Sequence, residues 1–336
     1  PEGRQWLAQV LPRFIRQTGI GAERRVARIL KASGASGVLA EISRIEGGWA
    51  KRVYFKELVR QERPDAATAR QILTQAGREI DSDYELASLL LESADTLLVD
   101  EAARKAYFDA ARTIESDYEM RRVFAGALKR APMTTGLLIA LLDGSRSIDS
   151  DFELAELLVQ TARNQPLDAA ASRPFVAAAG TIESDYEQRR VLGTLAARRE
   201  LTPETMAALL STALDIGSDF ELAELLSLVV KQHDVEGPVR APFFRAVDSI
   251  ESGYERSRVL QALARKSTAS AETVTGILKS VRGVGSHEAS QVLLTLAASH
   301  PISGAARDLY IDAAGELAEY EQGRVLTALV KSERRR

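Results

Sequence analysis

The chain has 336 residues, with 44 Lys and Arg against 47 Asp and Glu, a formal charge of -3 and no cysteine. Without thiols it forms no disulfide, zinc–thiolate site, iron–sulfur cluster or cysteine nucleophile. The longest unbroken apolar run, Leu137 to Leu142, is far short of the ~20 residues that span a bilayer, so no membrane span is expected. A hydrophobic fraction of 45% supports a sizeable core. The near-neutral charge argues against a dedicated nucleic-acid binder. Pro1 rather than Met stands first, which suggests a piece of a longer or processed chain.

A repeat organises the sequence. The string Ser-Asp-aromatic-Glu places its aromatic at Tyr84, Tyr118, Phe152, Tyr186 and Phe220, and a Ser-Gly-Tyr-Glu copy places Tyr254, each step being 34 residues. Two unit types alternate. One reads TIESDYExRRVL, as at Thr113 to Phe124 and Thr181 to Leu192. The other reads IxSDFELAELL, as at Ile148 to Leu158 and Ile216 to Leu226. The larger period is therefore 68 residues.

In chain order, the spacing predicts ten helical hairpins, at 1–33, 34–63, 64–98, 99–132, 133–166, 167–200, 201–234, 235–268, 269–301 and 302–336. Residues 1–63 are divergent cap units in which Trp49 is a degenerate copy of the aromatic. Residues 1–80 hold 15 Lys and Arg against 8 Asp and Glu, leaving a net charge of -10 on the rest. This basic N-terminal end suggests docking to an acidic partner, anionic lipid or a neighbouring domain.

Residues 64–268 are the regular repeats. In the hairpin at 99–132, Ser116 and Glu119 read as a capping box: the Ser hydroxyl accepts from the Glu119 amide, and the Glu119 side chain returns to the Ser116 amide. Asp117 complements the positive helix end. Met120, Val123, Phe124, Ala127 and Leu128 then form one apolar stripe. The preceding isoleucine (Ile80, Ile114, Ile148, Ile182, Ile216, Ile250) plugs the corner between the two helices. The aromatics are expected as wedges between successive hairpins, because Tyr and Phe interchange there. Thr202-Pro203-Glu204 marks the start of a first helix. Pro174 and Pro242, in first helices of one unit type, either delay or kink them. Residues 269–336 are degenerate units, with the motif decayed at Gly285-Ser286-His287-Glu288 and recognisable again at Tyr320.

No run alternates with period two, so the expected fold is all-α: an α-solenoid of about ten stacked hairpins forming one elongated domain over 1–336. The 34-residue hairpin suggests a tetratricopeptide-like superhelix, but that family's pattern of Trp, Leu-Gly, Tyr, Ala, Phe and Pro is absent. The paired helices with a short, acidic, capped corner resemble HEAT-like repeats more closely. Leu11 to Arg60, with GIGAERRVARIL and AEISRIEGGWAKRVYF, resembles helical-repeat regions of bacterial cell-envelope and sensor proteins. The HEAT-like resemblance implies a scaffold that binds a protein or peptide partner on a curved surface. The second resemblance implies a regulatory or spacer arm of a larger protein.

No Gly-rich phosphate loop, Ser/His/Asp arrangement or HExxH motif appears, and His233, His287 and His300 lack metal spacing. No cofactor, metal site or enzymatic activity is expected. The surface candidates are a charge ladder four residues after the aromatic: Arg122, Glu156, Arg190, Glu224 and Arg258, with Arg121 and Arg189 beside it. Its alternating sign suggests pairing between adjacent second helices, setting register more than stability. Arg190→Glu should therefore lower the melting temperature more than Arg190→Ala, which thermal unfolding monitored by circular dichroism will read.

Overall fold

The computed structural model describes residues 2–130 and 133–333, and it is all-α, with no strand among those residues. The chain divides into two compact units, 1–174 and 175–336. In the first lie α1 (Glu2–Thr18), α2 (Ala22–Ile42), α3 (Gly48–Glu62), α4 (Ala66–Glu79), α5 (Asp83–Leu97), α6 (Glu101–Ala111), α7 (Asp117–Arg130), α8 (Thr135–Ser145) and α9 (Asp151–Asn164). The division falls within α10 (Ala169–Ala179). The second unit continues with α11 (Asp185–Ala196), α12 (Pro203–Thr212), α13 (Asp219–Gln232), α14 (Arg240–Ser249), α15 (Gly253–Ala264), α16 (Ala271–Ser280), α17 (Ser286–Ser299), α18 (Ala305–Gly315) and α19 (Glu319–Glu333).

Each unit is a solenoid-like pair of layers. In the first, α3, α5, α7 and α9 pack side by side in sequence order, and α4, α6 and α8 form the other layer. In the second, α11, α13, α15, α17 and α19 make one layer and α12, α14, α16 and α18 the other. A single amphipathic hairpin cannot cover its own apolar stripe, so neighbours supply the core.

The α7 stripe is buried as the spacing requires: Met120, Val123, Phe124, Ala127 and Leu128 all face inward. Phe124 meets Phe108 of α6, ring centroids 5.5 Å apart. Each such large side chain contributes roughly 1.5–3 kcal/mol by leaving water. All six corner isoleucines are buried. Tight layer packing uses glycine at Gly77, where a Cβ would sit 3.1 Å from the Ala110 backbone of α6.

The first helices α4, α6 and α12 start on side-chain caps. Asp65 accepts the Thr68 amide at 2.8 Å, Asp100 the Ala103 amide at 2.7 Å, and Thr202 the Thr205 amide at 3.2 Å, with Pro203 as the first helical residue. Pro242 lies in the first turn of α14, after a short 3-10 turn at Gly237–Val239, whereas Pro174 lies inside α10. At the N-terminal end the helical run of α2 is broken by Gly34, whose φ of 65° and ψ of -169° are open to glycine and strained for other residues. That break falls where the first two hairpins are expected to meet.

The corner of the repeat departs from the expected capping box. Its first half is present: Ser116, Ser150, Ser184, Ser218 and Ser252 each accept the amide of the following Glu at 3.4 Å, which is long, and Ser82 makes no such bond. At Ser116, Ser150 and Ser252 the second half is replaced, because another carboxylate takes the Ser amide. The Ser116 amide goes to Asp83 of the preceding hairpin at 2.8 Å, and the Glu115 amide joins it at 3.1 Å. Asp117 likewise takes the Ser150 and Asp149 amides at 2.8 and 3.1 Å. In the second unit Asp185 takes the Gly217 amide at 2.9 Å, and Asp219 takes the Ser252 and Glu251 amides at 2.7 and 3.1 Å. The Asp expected to serve its own helix dipole therefore also clamps the next corner. A carboxylate accepting two amides forms the stronger, charge-assisted kind of bond.

Gly253 stands where that Asp would be, and a Cβ there would meet only ordinary contacts at Val284 and Gly285. One hairpin further on, Ser286 Oγ accepts the Ala318 amide at 3.0 Å. The ends of second helices are tied too. Gln165 donates to the Leu128 carbonyl at 3.2 Å, and His233 and His300 bond the Ala196 and Ala264 carbonyls at 2.6 and 2.9 Å. Two of the three histidines are thus corner ties.

Removing the clamp with Asp219→Ala should cost about 1.5–3 kcal/mol, the typical loss for hydrogen bonds to a charged acceptor. Gly253→Asp should raise stability by about 1 kcal/mol, since it replaces a glycine and adds a first-turn carboxylate. Chemical denaturation of both variants checks the pair, and an unchanged Asp219→Ala variant refutes the clamp.

Candidate functional site

The repeated aromatics are not wedges. Each is the second residue of its helix, after an Asp in five copies and after Gly253 in the sixth, and each points out of the packed layers. Tyr84, Tyr118, Phe152, Tyr186, Phe220 and Tyr254 are 52% to 68% exposed, and Trp49 and Tyr320 are likewise open. The physical reason is the apolar stripe of each helix, which gives the inward positions of the first turn to Leu86, Met120, Leu154, Gln188, Leu222 and their equivalents. This holds even in α5, where Gly48 rather than an Asp opens the preceding second helix. The residue two earlier on the helix then lies on the outer side.

Arginines lie against these rings. Arg121 and Arg122 sit 5.4 and 5.8 Å from the centroid of Tyr118, and Arg189 sits 5.1 Å from Tyr186. Arg258 of α15 reaches the ring of Phe220 on α13 at 5.8 Å, and Arg324 reaches Tyr320 at 5.6 Å. Such contacts are worth ~0.5–1 kcal/mol at exposed sites, and they hold the ring's orientation as well.

All seven charged candidates from the sequence are half-buried beside the rings. One rung of the expected ladder is present, and the same side chains make further pairs. Glu224 and Arg258 pair between adjacent helices at 2.5 Å, as the alternation requires. Arg122 turns back to Glu119 of its own helix, and Arg190 bonds Glu187 at 2.7 Å in the same way. Glu156, on α9, also has interacting partners. The regular rung between helices lies one residue earlier: Arg121 pairs with Glu153, Arg189 with Glu221 at 2.7 Å, and Arg52 with Glu85 at 2.7 Å. In each, an Arg three residues past the aromatic of one unit type meets the capping-box Glu of the next. This explains why that Glu does not return to its own Ser amide. The sequence carried the signal, Arg at one offset and Glu at another in alternate units, but capping logic had already assigned the Glu.

Burial disfavours the charge on Arg258, yet Glu224 and Glu255 hold its guanidinium above the usual arginine range. The charges on this face are therefore largely compensated in place, and the rings are its open groups. Shallow grooves run between adjacent second helices. One of about 290 Å³ between α15 and α17 is lined by Tyr254, Arg258, Gln261, Arg265 and Gln291. Another of about 800 Å³ between α17 and α19 is lined by Leu294, Tyr320, Arg324 and Thr327.

At the basic N-terminal end, buried Glu41 is held by Arg16 and Arg25, each at 2.7 Å, while Arg24, Arg28 and Lys31 lie exposed along one stripe of α2. Among the described residues no group of three or more His, Asp or Glu is placed to hold a metal ion. No helix among them is long and apolar enough to cross a membrane. Comparison with protein-family models, curated proteins and solved structures returns no match.

Exposed rings should be dispensable for folding. Tyr118→Ala should cost no more than about 1–2 kcal/mol, the two arginine contacts that the ring makes. Phe124→Ala, one and a half turns further into the core, should cost about 3–5 kcal/mol. Urea unfolding of the two variants tests this, and a Tyr118→Ala cost near that of Phe124→Ala would restore the wedge.

Proposed function

We propose that the chain is a non-catalytic, HEAT-like scaffold that binds a protein or peptide across its layers of second helices. The observation that carries this reading is the exposure of the repeated aromatic. A ring left open at the same position of successive hairpins forgoes burial in every copy, and exposed apolar groups in an ordered array mark interaction surfaces. Tyr, Trp and Arg are also the side chains that concentrate binding energy at interfaces. Here they sit together, with Arg121, Arg122, Arg189 and Arg258 on the rings and Glu156, Glu224 and Arg190 among them.

A second reading makes the chain an arm of a larger envelope or sensor protein. It is favoured by the exposed basic stripe of Arg24, Arg28 and Lys31 on α2, which suits an acidic partner or neighbouring domain. The two readings place the contact at different surfaces.

A random peptide library selected on the whole chain separates them. On the scaffold reading, enriched peptides lose about tenfold or more in affinity when Tyr118→Ala and Phe152→Ala, or Tyr186→Ala and Phe220→Ala, are combined. Peptides that bind these variants as well as the parent overturn it. Binding lost instead in Arg24→Glu/Arg28→Glu supports the second reading.

A further inference from the structure

The periodicity of the rings constrains the shape of what they bind. Three rings stand at steps of 34 residues in each unit: Tyr84, Tyr118 and Phe152 in the first, and Tyr186, Phe220 and Tyr254 in the second. Each sits at the same place on its helix, and successive second helices within a unit pack side by side. Packed helices lie about 8–10 Å apart, so neighbouring rings recur at about that interval.

A ligand crossing the rungs must repeat at the same interval. A β-strand returns a side chain to one face every two residues, about 6.6–6.8 Å, and falls out of step by the second ring. An α-helix repeats at about 5.4 Å per turn and sets every other turn over a gap. A polyproline II helix has three residues per turn and ~3.1 Å per residue, about 9.3 Å per repeat, which matches.

The chemistry of the face agrees. Arg121, Arg122, Arg189, Arg190 and Arg258 are all engaged by carboxylates, so the surface does not call for a charged partner. Phe152 and Phe220 occupy the positions held elsewhere by Tyr, so the ring is the shared feature. Proline packs its compact, apolar ring against an aromatic face, and a polyproline II segment is already extended before it binds, which lowers the ordering cost. Its backbone carbonyls, free of internal hydrogen bonds, need donors. Gln261, Arg265 and Gln291 line the groove beside Tyr254 and can supply them.

We infer that each row of rings takes a proline-rich segment in the polyproline II conformation, with every third residue a proline seated on one ring and three rings used per unit. The inference rests on the scaffold reading and specifies the partner's chemistry.

Fluorescence anisotropy with the whole chain tests it, using labelled peptides of about twelve residues, long enough for three turns and flanks. The probes are oligoproline, a peptide with proline at every third position and serine between, one with proline at every fourth position, a Gly-Ser peptide and a Glu-rich peptide. Oligoproline and the period-three peptide should bind about tenfold or more tightly than the period-four and Gly-Ser peptides. The Tyr118→Ala/Phe152→Ala variant should weaken oligoproline binding about tenfold when the second unit carries Tyr186→Ala/Phe220→Ala as well. Tyr118→Phe and Tyr186→Phe should bind within about twofold of the parent. Replacement by Leu serves where an Ala variant unfolds early. Oligoproline binding no better than Gly-Ser, or unaffected by loss of the rings, overturns the inference. If peptides selected from the random library still require the rings, the scaffold reading survives that result. If they do not, both fall.

Discussion

Every corner of this repeat gathers backbone amides that the second helix cannot satisfy with its own carbonyls. The chain answers with the Asp that opens the previous second helix. Asp83, Asp117 and Asp219 each hold a pair of amides at the next corner, and Asp185 holds at least one. The bond joins neighbours, so the start of one helix is set by the start of the last. Register is thereby copied along each unit rather than set anew in each hairpin.

Copying the start repeats everything counted from it. The residues that follow supply the buried stripe, and the second residue of each helix, the aromatic, then falls outside. The third residue, Glu, is released from capping, because its Ser amide is already taken, and it becomes the acceptor for an arginine on its own or the preceding helix. The arginines in turn lie on the rings. Carboxylate, guanidinium and ring thus form one linked surface whose charge is compensated and whose open component is aromatic. The histidine and glutamine ties at the far ends of second helices, to the carbonyls of Leu128, Ala196 and Ala264, do for the helix ends what Asp does for their starts.

Where the clamp is missing the motif decays while the helices stay packed. Gly253 removes the carboxylate, and the following corner is the one at Val284 to Ser286, where the motif has decayed and α17 starts on Gly285 without a side-chain cap. Ser286 resumes the same geometry with a neutral acceptor, and Tyr320 then reappears in its exposed position. At the other end the positive φ of Gly34 separates two hairpins within what is otherwise a continuous helical run.

The sequence by itself determined the helix starts, the apolar stripes, the hairpin spacing and the all-α repeat, because these depend on local hydrogen bonding and on period, which a linear string displays. It also located the charged residues beside the rings. It could not determine their partners. Asp, Glu and Arg each satisfy a local rule and a rule between neighbouring hairpins equally well, and only packing places Asp83 against the Ser116 amide or Arg189 against Glu221. The same holds for the rings. Interchange of Tyr and Phe reads equally as a buried wedge or as an open stacking surface. The tertiary structure decided for the open surface, because burying the apolar stripe against neighbouring helices sets the rotation of each second helix about its own axis.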